Sequence, residues 1–349
     1  MRRLSTLLLS AALFAQPANW QLGPFTRPVT APVIAPDRKS TFRDPMTGKQ
    51  VNWEALHTFN PAAVVRNGKI YVIYRAEDDT GEMRIGLHTS RLGLAESSDG
   101  IHFTRHPEPV LYPDNDAQKD REWPGGCEDP RIAESEDGTY VVTYTQWNRR
   151  RTAAAIATSK DLVHWTKHGP ALGTEGKYAA LSYKSAGIVT QLRGDRLIAA
   201  KIAGKYWMFW GEGTVRLATS TDLIHWTPVE DAAGEPVAAL SKRAGRFDSS
   251  FPESGPPPLL TEHGIVVIYN GKDSATSAYA AGEALFAKDD PAKLLARTDD
   301  PVLKPELAFE KSGQYAAGTT FAEALVWFRN QWFVYYGCAD SLVGVAVAR

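Results

Sequence analysis

The sequence of 349 residues is poor in cysteine and nearly neutral, with two cysteines, Cys127 and Cys338, and a formal net charge of −1. Two cysteines do not make a disulfide framework, and no spacing of cysteine and histidine resembles a zinc site. A balanced charge without a basic, aromatic-rich run argues against a nucleic-acid partner. We therefore expect no metal, no organic cofactor and no nucleic acid, and two unpaired thiols near a shared centre. The alternative is a disulfide between Cys127 and Cys338, which an exported protein could form.

Long apolar runs are missing except at the N-terminus. There, Met1-Arg2-Arg3 precedes an apolar stretch over residues 4–15, with possible cleavage points at Ala15 and Ala18. A charged start, an apolar run too short to span a bilayer comfortably and small residues near its end are typical of a secretory signal peptide. The alternative is an N-terminal helix that is retained. We expect a signal peptide over residues 1–18, a single domain over residues 19–349, no membrane segment, and a periplasmic or secreted protein.

Helical periodicity is nearly absent, and a repeated β-rich phrase takes its place. Two runs rich in Val, Ile and Tyr around a turn recur five times, with turns at Gly68, Gly138, Gly204, Gly264 and Asn330, which are 70, 66, 60 and 66 residues apart. Regular repetition of small sheets predicts an all-β fold, a five-bladed β-propeller. A pair of β-sandwiches is the alternative, but it would not predict so regular a period.

A second repeated phrase joins a loop aspartate to a histidine and an aromatic residue. Its histidines are His102, His164 and His225. The aspartate of each copy is expected to cap a short turn, after which the aromatic ring packs back onto a strand. Because these histidines repeat with the scaffold, whereas an active site occurs once, we predict that they are structural.

The segment Gly125-Gly126-Cys127-Glu128-Asp129-Pro130-Arg131 is the strongest candidate for a functional corner. Glycines allow close backbone approach, and proline interrupts regular ladder pairing. A carboxylate held in such a corner can serve as a catalytic acid, because its neighbours control its protonation state. The alternative is a strand-entry turn in which Asp129 and Arg131 form a structural ion pair.

Other repeats carry polar residues at corresponding points, where the inner strands of a propeller would converge. These residues are Asn60, Arg75, Arg91, Lys184, Glu212, Glu253 and Asp340. Together with Asp129 they predict an acidic funnel flanked by arginine and lysine. The chain also has 10 Trp and 13 Tyr, and aromatic faces beside polar groups can hold sugar rings. Such a funnel suits a neutral polyhydroxylated ligand.

Five motifs in chain order resemble those of glycoside hydrolase family 130. They are Asn60-Pro61-Ala62, Tyr74-Arg75-Ala76, Ser90-Arg91-Leu92-Gly93, Glu128-Asp129-Pro130-Arg131 and Tyr336-Gly337-Cys338-Ala339-Asp340. The resemblance covers roughly residues 30–349. It implies a five-bladed propeller acting on β-mannosides with inversion, and it implies that Asp129 is the proton donor. In this family the proton is thought to travel through a sugar hydroxyl.

The family contains phosphorylases and hydrolases, and the resemblance favours the hydrolase branch. Phosphorylases hold phosphate with Arg, Lys and His, but this chain has Asn270 where they often have His. Ala153, Ala154 and Ala155 occupy the region of the usual Arg, although Arg151 is near enough to leave that register open. Glu212 and Glu253 match the paired glutamates of the hydrolases, which assist the attacking water. A phosphate dianion needs paired positive charge, so these changes favour water.

The residues and the resemblance together predict an exo-acting, inverting β-mannoside hydrolase. The resemblance to the hydrolase branch alone implies β-1,2-linked mannose as its substrate. Inverting chemistry needs room for water, so the acid and base carboxylates should lie about 6.5–9.5 Å or more apart. Asn60, Arg75, Arg91, Lys184 and Asp340 are expected to bind the sugar, or else to pair with other charges in the funnel. A β-mannoside phosphorylase and a non-catalytic glycan-binding propeller are the alternatives. Chain-length preference and oligomeric state are open.

Overall fold

The computed structural model describes residues 19–349. The predicted signal peptide, residues 1–18, lies outside the described residues. Within the part of the chain that the structure describes, none of the helices has the length and apolar character needed to cross a bilayer.

Strands account for nearly all regular structure, so the predicted all-β class is confirmed. The helical segments among residues 19–349 are α1 (Lys119–Glu122) and a 3-10 turn (Ala308–Glu310). Before the repeats, β1 (Phe42–Arg43) pairs with β2 (Gln50–Val51). The high content of β-branched and aromatic residues in these runs explains the preference for strands.

The remaining strands form five successive antiparallel units. Unit 1 contains β3 (His57–Arg66), β4 (Lys69–Glu77), β5 (Ser90–Ser97) and β6 (Thr104–Arg105). Unit 2 contains β7 (Gly126–Glu134), β8 (Tyr140–Trp147), β9 (Thr152–Ser159) and β10 (Thr166–Pro170). Unit 3 contains β11 (Ala186–Ile188), β12 (Thr190–Arg193), β13 (Arg196–Ala199), β14 (Lys201–Ile202), β15 (Lys205–Trp210), β16 (Val215–Ser220), β17 (Thr227–Pro228) and β18 (Ala238–Leu240). Unit 4 contains β19 (Phe251–Ser254), β20 (Leu259–Leu260), β21 (Ile265–Lys272), β22 (Tyr279–Phe286) and β23 (Leu294–Arg297). Unit 5 contains β24 (Thr320–Phe328), β25 (Gln331–Cys338) and β26 (Leu342–Ala348).

The predicted turns lie between strands, as the repeat required. Gly68 joins β3 to β4, Gly138 joins β7 to β8, and Gly204 joins β14 to β15. Gly264 joins β20 to β21, and Asn330 joins β24 to β25. The period near 65 residues therefore reflects one group of antiparallel strands per repeat. Parallel bridges join β5 to β7, β7 to β13 and β12 to β20, so strands of units 1 to 4 share one hydrogen-bonded sheet.

Five hydrophobic clusters lie between neighbouring units and form the core. They join unit 1 to unit 2, unit 2 to unit 3, unit 3 to unit 4, unit 4 to unit 5, and unit 5 back to unit 1. The N-terminal segment reinforces the last contact, because Thr26 and Ile34 form antiparallel bridges to Val347 and Val343 of β26. Each unit thus buries both faces against its neighbours, which brings the first strands of the units towards one polar region.

The two cysteines are free, as predicted, and both are buried. Cys127 packs in the cluster between units 1 and 2, and Cys338 packs in the cluster between units 4 and 5. The two thiols are therefore enclosed by separate clusters rather than grouped around a shared centre. The motif glycines and acids beside them contribute to a polar cavity, whereas the thiols contribute to packing.

The repeated aspartate–histidine phrase has the predicted structural role. Asp99 accepts hydrogen bonds from the backbone amides of Ile101 and His102, and its second oxygen lies 2.7 Å from His102 Nδ1. Asp161 and Asp222 make the same contacts in units 2 and 3. The His102 side chain is 85% exposed. These hydrogen bonds lower the pKa of Asp99 and stabilise the turn.

Arg131 joins three of the units in the interior. Its Nε donates to the carbonyl of Gly255 (2.8 Å) and its Nη2 donates to the carbonyl of Ser254 (2.8 Å), both at the end of β19 or just beyond it. Nη2 also lies 2.9 Å from a carboxylate oxygen of Glu323 on β24. The ion pair with Asp129 considered from the sequence is not formed, because Arg131 reaches only the Asp129 carbonyl (3.2 Å).

We expect Arg131→Met to destabilise the protein by about 3–5 kcal/mol, because the buried carbonyls of Ser254 and Gly255 lose their hydrogen-bond donors. The buried Glu323 carboxyl group, whose pKa burial raises, also loses the neighbouring cation that opposes this rise. Urea unfolding followed by circular dichroism measures this. Arg193→Ala is the matched control, since Arg193 and its partner Glu136 are both more than half exposed and such pairs contribute little. Equal losses in the two variants would contradict the role given to Arg131.

Candidate active site

A cavity of about 340 Å³ lies where the first strands of the units approach one another. Its polar lining includes Asn60, Arg75, Glu128, Asp129, Lys184, Glu212, Glu253 and Asp340. The structure therefore brings together seven of the eight predicted site residues, drawn from all five units, and adds Glu128. The eighth, Arg91, is described below.

Backbone irregularities direct two of these side chains. The register of β3 shifts between Phe59 and Pro61, and Asn60 has a φ of 46°. The register of β7 shifts around Pro130, and Asp129 has a φ of 47°. A bulge re-aims a side chain, and a positive φ in a non-glycine residue stores strain that surrounding structure must hold. The predicted interruption at Pro130 is confirmed.

Two glycines permit the close approaches around Asp129. A Cβ added to Gly126 would lie 2.1 Å from the Ser90 carbonyl oxygen, and one added to Gly337 would lie 2.1 Å from Asn60 Oδ1. Both contacts are too short for any side chain. The glycines of two motifs are therefore required by the packing of the cavity wall.

Asp129 belongs to a network of charged side chains that share Arg75. Its Oδ1 accepts hydrogen bonds from Asn60 Nδ2 at 2.8 Å and from Arg75 Nη1 at 3.1 Å. Arg75 Nη2 also lies 2.7 Å from Glu77 and 2.8 Å from Glu128. One guanidinium thus serves three carboxylates, which is why its position and charge control the protonation of its neighbours.

The acids of this network have separated pKa values. Burial raises the pKa of Glu128 to about 7, against the opposing effect of Arg75. Burial likewise raises the pKa of Asp340 to about 6. Burial acts in the same direction on Asp129, but Arg75, Lys184 and the Asn60 hydrogen bond outweigh it and lower the pKa of that group. As the pH rises, Asp129 therefore loses its proton before Glu128 and Asp340 do.

We expect the stability of the protein to fall as the pH rises from about 5 to 8, in part because Glu128 must ionise. A carboxyl group with a raised pKa stabilises the fold below its ordinary pKa, and this contribution is lost as the pH rises through the folded value. Glu128→Gln should therefore gain about 1–3 kcal/mol relative to the wild type between pH 5 and pH 8. Urea unfolding at both pH values measures the gain, and the exposed Glu175→Gln is the control. A pH-independent difference for Glu128→Gln would contradict the assignment.

Glu212 and Glu253 lie next to each other in the wall of the same cavity. The two residues form an antiparallel β-bridge, and Lys184 Nζ lies 3.4 Å from Glu212 and 3.5 Å from Glu253. Ser185 donates a hydrogen bond to Glu253. Burial raises the pKa of Glu253, against the effect of Lys184. Glu212 remains 41% exposed in its side chain and also lines a second cavity of about 610 Å³.

Arg91 does not line the cavity. Its guanidinium is 1% exposed and pairs with Asp44 and Asp78, each at 2.7 Å. The sequence motif gave no sign of this, because Asp44 comes from the segment before the first unit. Arg91 is therefore placed to hold the wall of unit 1.

The residues at the positions where phosphorylases carry phosphate-binding side chains also have structural roles in this protein. Asn270 donates to the carbonyl of Ala322 (2.9 Å) and accepts from its amide (2.8 Å), so its side chain joins β21 to β24. Arg151 donates to the carbonyl of Ala179 at 2.8 Å. Ala153, Ala154 and Ala155 are buried in β9. Among the described residues that line the 340 Å³ cavity, the cations are Arg75 and Lys184, and the acids number five.

The cavity has an aromatic wall that the sequence did not single out. Its members are Phe59, Trp147, Tyr279, Tyr315 and Phe321. Tyr279 contacts Tyr315 and Phe321, with ring centroids 5.4 and 5.8 Å apart. The position of Tyr279 at the start of β22 offered a weak signal, but Tyr315 lies in an irregular segment without periodicity. Aromatic rings beside charged groups are suited to the apolar faces and hydroxyls of a sugar.

Comparison with known proteins decides the family. A sequence profile of glycoside hydrolase family 130, described as beta-1,4-mannooligosaccharide phosphorylase, matches residues 36–349. The chain belongs to glycoside hydrolase family 130. This membership confirms the family suggested by the five motifs, and it places the cavity in a family of enzymes acting on mannosides.

Relatives within family 130 include both kinds of enzyme. A 1,2-beta-oligomannan phosphorylase of Thermoanaerobacter sp. (strain X514) is 33% identical over 299 residues, covering 84% of this chain and 90% of the relative. A solved glycosyl hydrolase from Bacteroides ovatus is 50% identical with a TM-score of 0.92, covering 95% of both chains. Another solved structure is 51% identical with a TM-score of 0.93, also covering 95% of both chains. The description of that second structure says that the family 130 of mannoside phosphorylases contains glycoside hydrolases that target beta-1,2 mannosidic linkages in Candida mannan.

Proposed function

We propose that this protein is an exo-acting, inverting β-mannoside hydrolase for β-1,2-linked mannose oligosaccharides. The observation that carries the proposal is the pair Glu212 and Glu253, held 3.4 and 3.5 Å from Lys184 on the cavity wall. We further propose that the five units are the blades of a five-bladed β-propeller, and that residues 19–349 form one catalytic domain. The solved relatives at about 50% identity, which include a glycosyl hydrolase, support this choice.

The charge of the cavity favours water over phosphate as the nucleophile. A phosphate dianion beside Glu212 and Glu253 would meet two carboxylates and a single lysine. Each uncompensated charge contact in a partly desolvated cleft costs on the order of 1 kcal/mol or more. Water carries no charge and needs hydrogen-bond acceptors, which both glutamates supply. The adjoining 610 Å³ cavity reaches Glu212 and offers a route for water.

The proposed reaction assigns one proton transfer to each side of the sugar. The water oxygen forms a bond to the anomeric carbon while the bond from that carbon to the leaving oxygen breaks. The proton of the water passes to Glu212 or Glu253. Asp129 supplies a proton to the leaving oxygen, through a sugar hydroxyl. Asp129 has a lowered pKa in the free protein, so its proton would come from Glu128 or Asp340, which have raised pKa values.

The same proposal gives the remaining polar residues a binding role. Asn60, Arg75, Lys184 and Asp340 line the cavity and would bind sugar hydroxyls. Arg91 would act through Asp44 and Asp78, by holding the strands that carry Arg75. The signal-like segment over residues 1–18 supports a periplasmic or secreted location.

A β-mannoside phosphorylase is the second candidate, because the relative at 33% identity carries that name. One experiment separates the two reactions. Purified protein is incubated with β-1,2-mannobiose, with and without inorganic phosphate, and the products are identified. We expect mannose to be released at the same rate with and without phosphate. Because the reaction inverts the anomeric carbon, the mannose should be released as its α-anomer. Dependence on phosphate would establish the phosphorylase, and absence of turnover would leave a glycan-binding protein.

A further inference from the structure

We propose that His57, Glu77 and His88 form a binding site for a divalent transition-metal ion such as Zn²⁺, beside the sugar cavity. Each of the three side chains offers one ligand atom, and these atoms lie within 4.8 Å of one another. His57 begins β3, Glu77 ends β4, and His88 lies just before β5, so one end of unit 1 brings them together.

Both imidazole rings have a nitrogen without a hydrogen-bond partner. The Nδ1 atoms of His57 and His88 are both buried and have no hydrogen-bond partner. His88 is only 3% exposed, and the two ring centroids are 5.8 Å apart. Buried polar nitrogens are normally paired, so two neighbouring unpaired ones indicate a missing partner. A metal ion would satisfy both rings at once.

The donor set is one that transition metals prefer. Two imidazoles and one carboxylate suit Zn²⁺ and related divalent ions, with further positions left for water. Glu77 Oε2 accepts a hydrogen bond from Gln314 Nε2 at 3.1 Å, and this amide also donates to the Asp340 carbonyl at 2.7 Å. Such a hydrogen bond orients a ligating carboxylate. A cavity of about 540 Å³ lined by His57, His88 and Gln314 offers access and room for water.

The acidic side chains around these three residues also favour the binding of a cation. Arg75 lies 2.7 Å from Glu77 and would repel the ion, but the same guanidinium is flanked by Glu128 and Asp129. Asp340 adds a further carboxyl group near Arg75. A metal ion held by Glu77 would compete with Arg75 for that carboxylate, so occupancy would alter the network around Asp129.

The proposal is tested by metal binding to the whole protein, with any affinity tag removed. Metal-free protein is titrated with Zn²⁺ by calorimetry, and with Co²⁺ by visible absorption, which reports the coordination number. We expect one equivalent to bind, and His57→Ala and His88→Ala each to weaken binding at least about tenfold. His102→Ala is the control, because His102 is 85% exposed in its side chain and lies in a turn. It should bind both metals like the wild type.

Two results would overturn the site. One is the absence of saturable Zn²⁺ binding to the wild type, and the other is unchanged affinity in both His57→Ala and His88→Ala. Circular dichroism checks that each variant is folded. If His88→Ala fails to fold, His57→Gln replaces it, because His57 is only partly buried. Unchanged Zn²⁺ affinity and an unchanged Co²⁺ spectrum in folded His57→Gln would then overturn the site.

Discussion

Asp129→Asn is expected to lower the turnover of β-1,2-mannobiose by about 100-fold or more while the protein stays folded. The substitution keeps the shape of the side chain and the hydrogen bond from Asn60 can be retained, but the group can no longer transfer a proton. Initial rates of mannose release measure the loss. Urea unfolding of the same variant measures whether the network around Arg75 survives.

An activated substrate distinguishes an acid from a merely structural residue. An aryl β-mannoside with a good leaving group needs little protonation, so the loss caused by Asp129→Asn should shrink on that substrate. Asp195→Asn, at an exposed position, is the matched control and should react like the wild type on both substrates. Near-wild-type turnover of β-1,2-mannobiose by a folded Asp129→Asn protein would eliminate Asp129 as the donor.

Glu212→Gln and Glu253→Gln are expected to depress hydrolysis by about 100-fold or more each, because an amide cannot accept the proton of the attacking water. The loss should fall mainly on kcat, since the residues proposed to bind the sugar, Asn60 and Arg75, are unchanged. Steady-state kinetics on β-1,2-mannobiose separates kcat from KM. Glu235→Gln is the control, because Glu235 lines only the adjoining cavity and is 72% exposed in its side chain.

Phosphate tests the same pair in a second way. If the glutamates act on water, the loss in Glu212→Gln and Glu253→Gln should be the same with and without added phosphate. Accumulation of α-mannose 1-phosphate by the wild-type protein would overturn the hydrolase proposal.

Local rules explain how much of the fold was predictable. The turns at Gly68, Gly138 and Asn330 separate runs rich in β-branched and aromatic residues, and each became a hairpin between neighbouring strands. The aspartate–histidine turns were equally local, because Asp99 caps amides two and three residues away. Interactions between residues so close in sequence depend little on the rest of the chain, so composition and spacing were sufficient.

The partners of buried charges were less predictable. Arg91 was expected at the sugar, yet it pairs with Asp44 and Asp78 from outside its own strand. Glu323 was not identified at all, although an acid in an apolar strand was a signal that it needed a partner such as Arg131. A buried cation takes the nearest carboxylate in space, and the motif around it does not specify which residue that is.

By itself, the sequence determined the all-β class, the repeat and the motif residues that membership of family 130 made interpretable, because these depend on local pattern and residue type. Only the tertiary structure decided that Glu128 shares Arg75 with Asp129, and that Lys184 lies between Glu212 and Glu253. Arg75 and Asp129 come from units 1 and 2, and Lys184 and Glu253 come from units 3 and 4, so these distances follow from how the units pack. Burial and neighbouring charge then separate their pKa values, and both are properties of the assembled cavity.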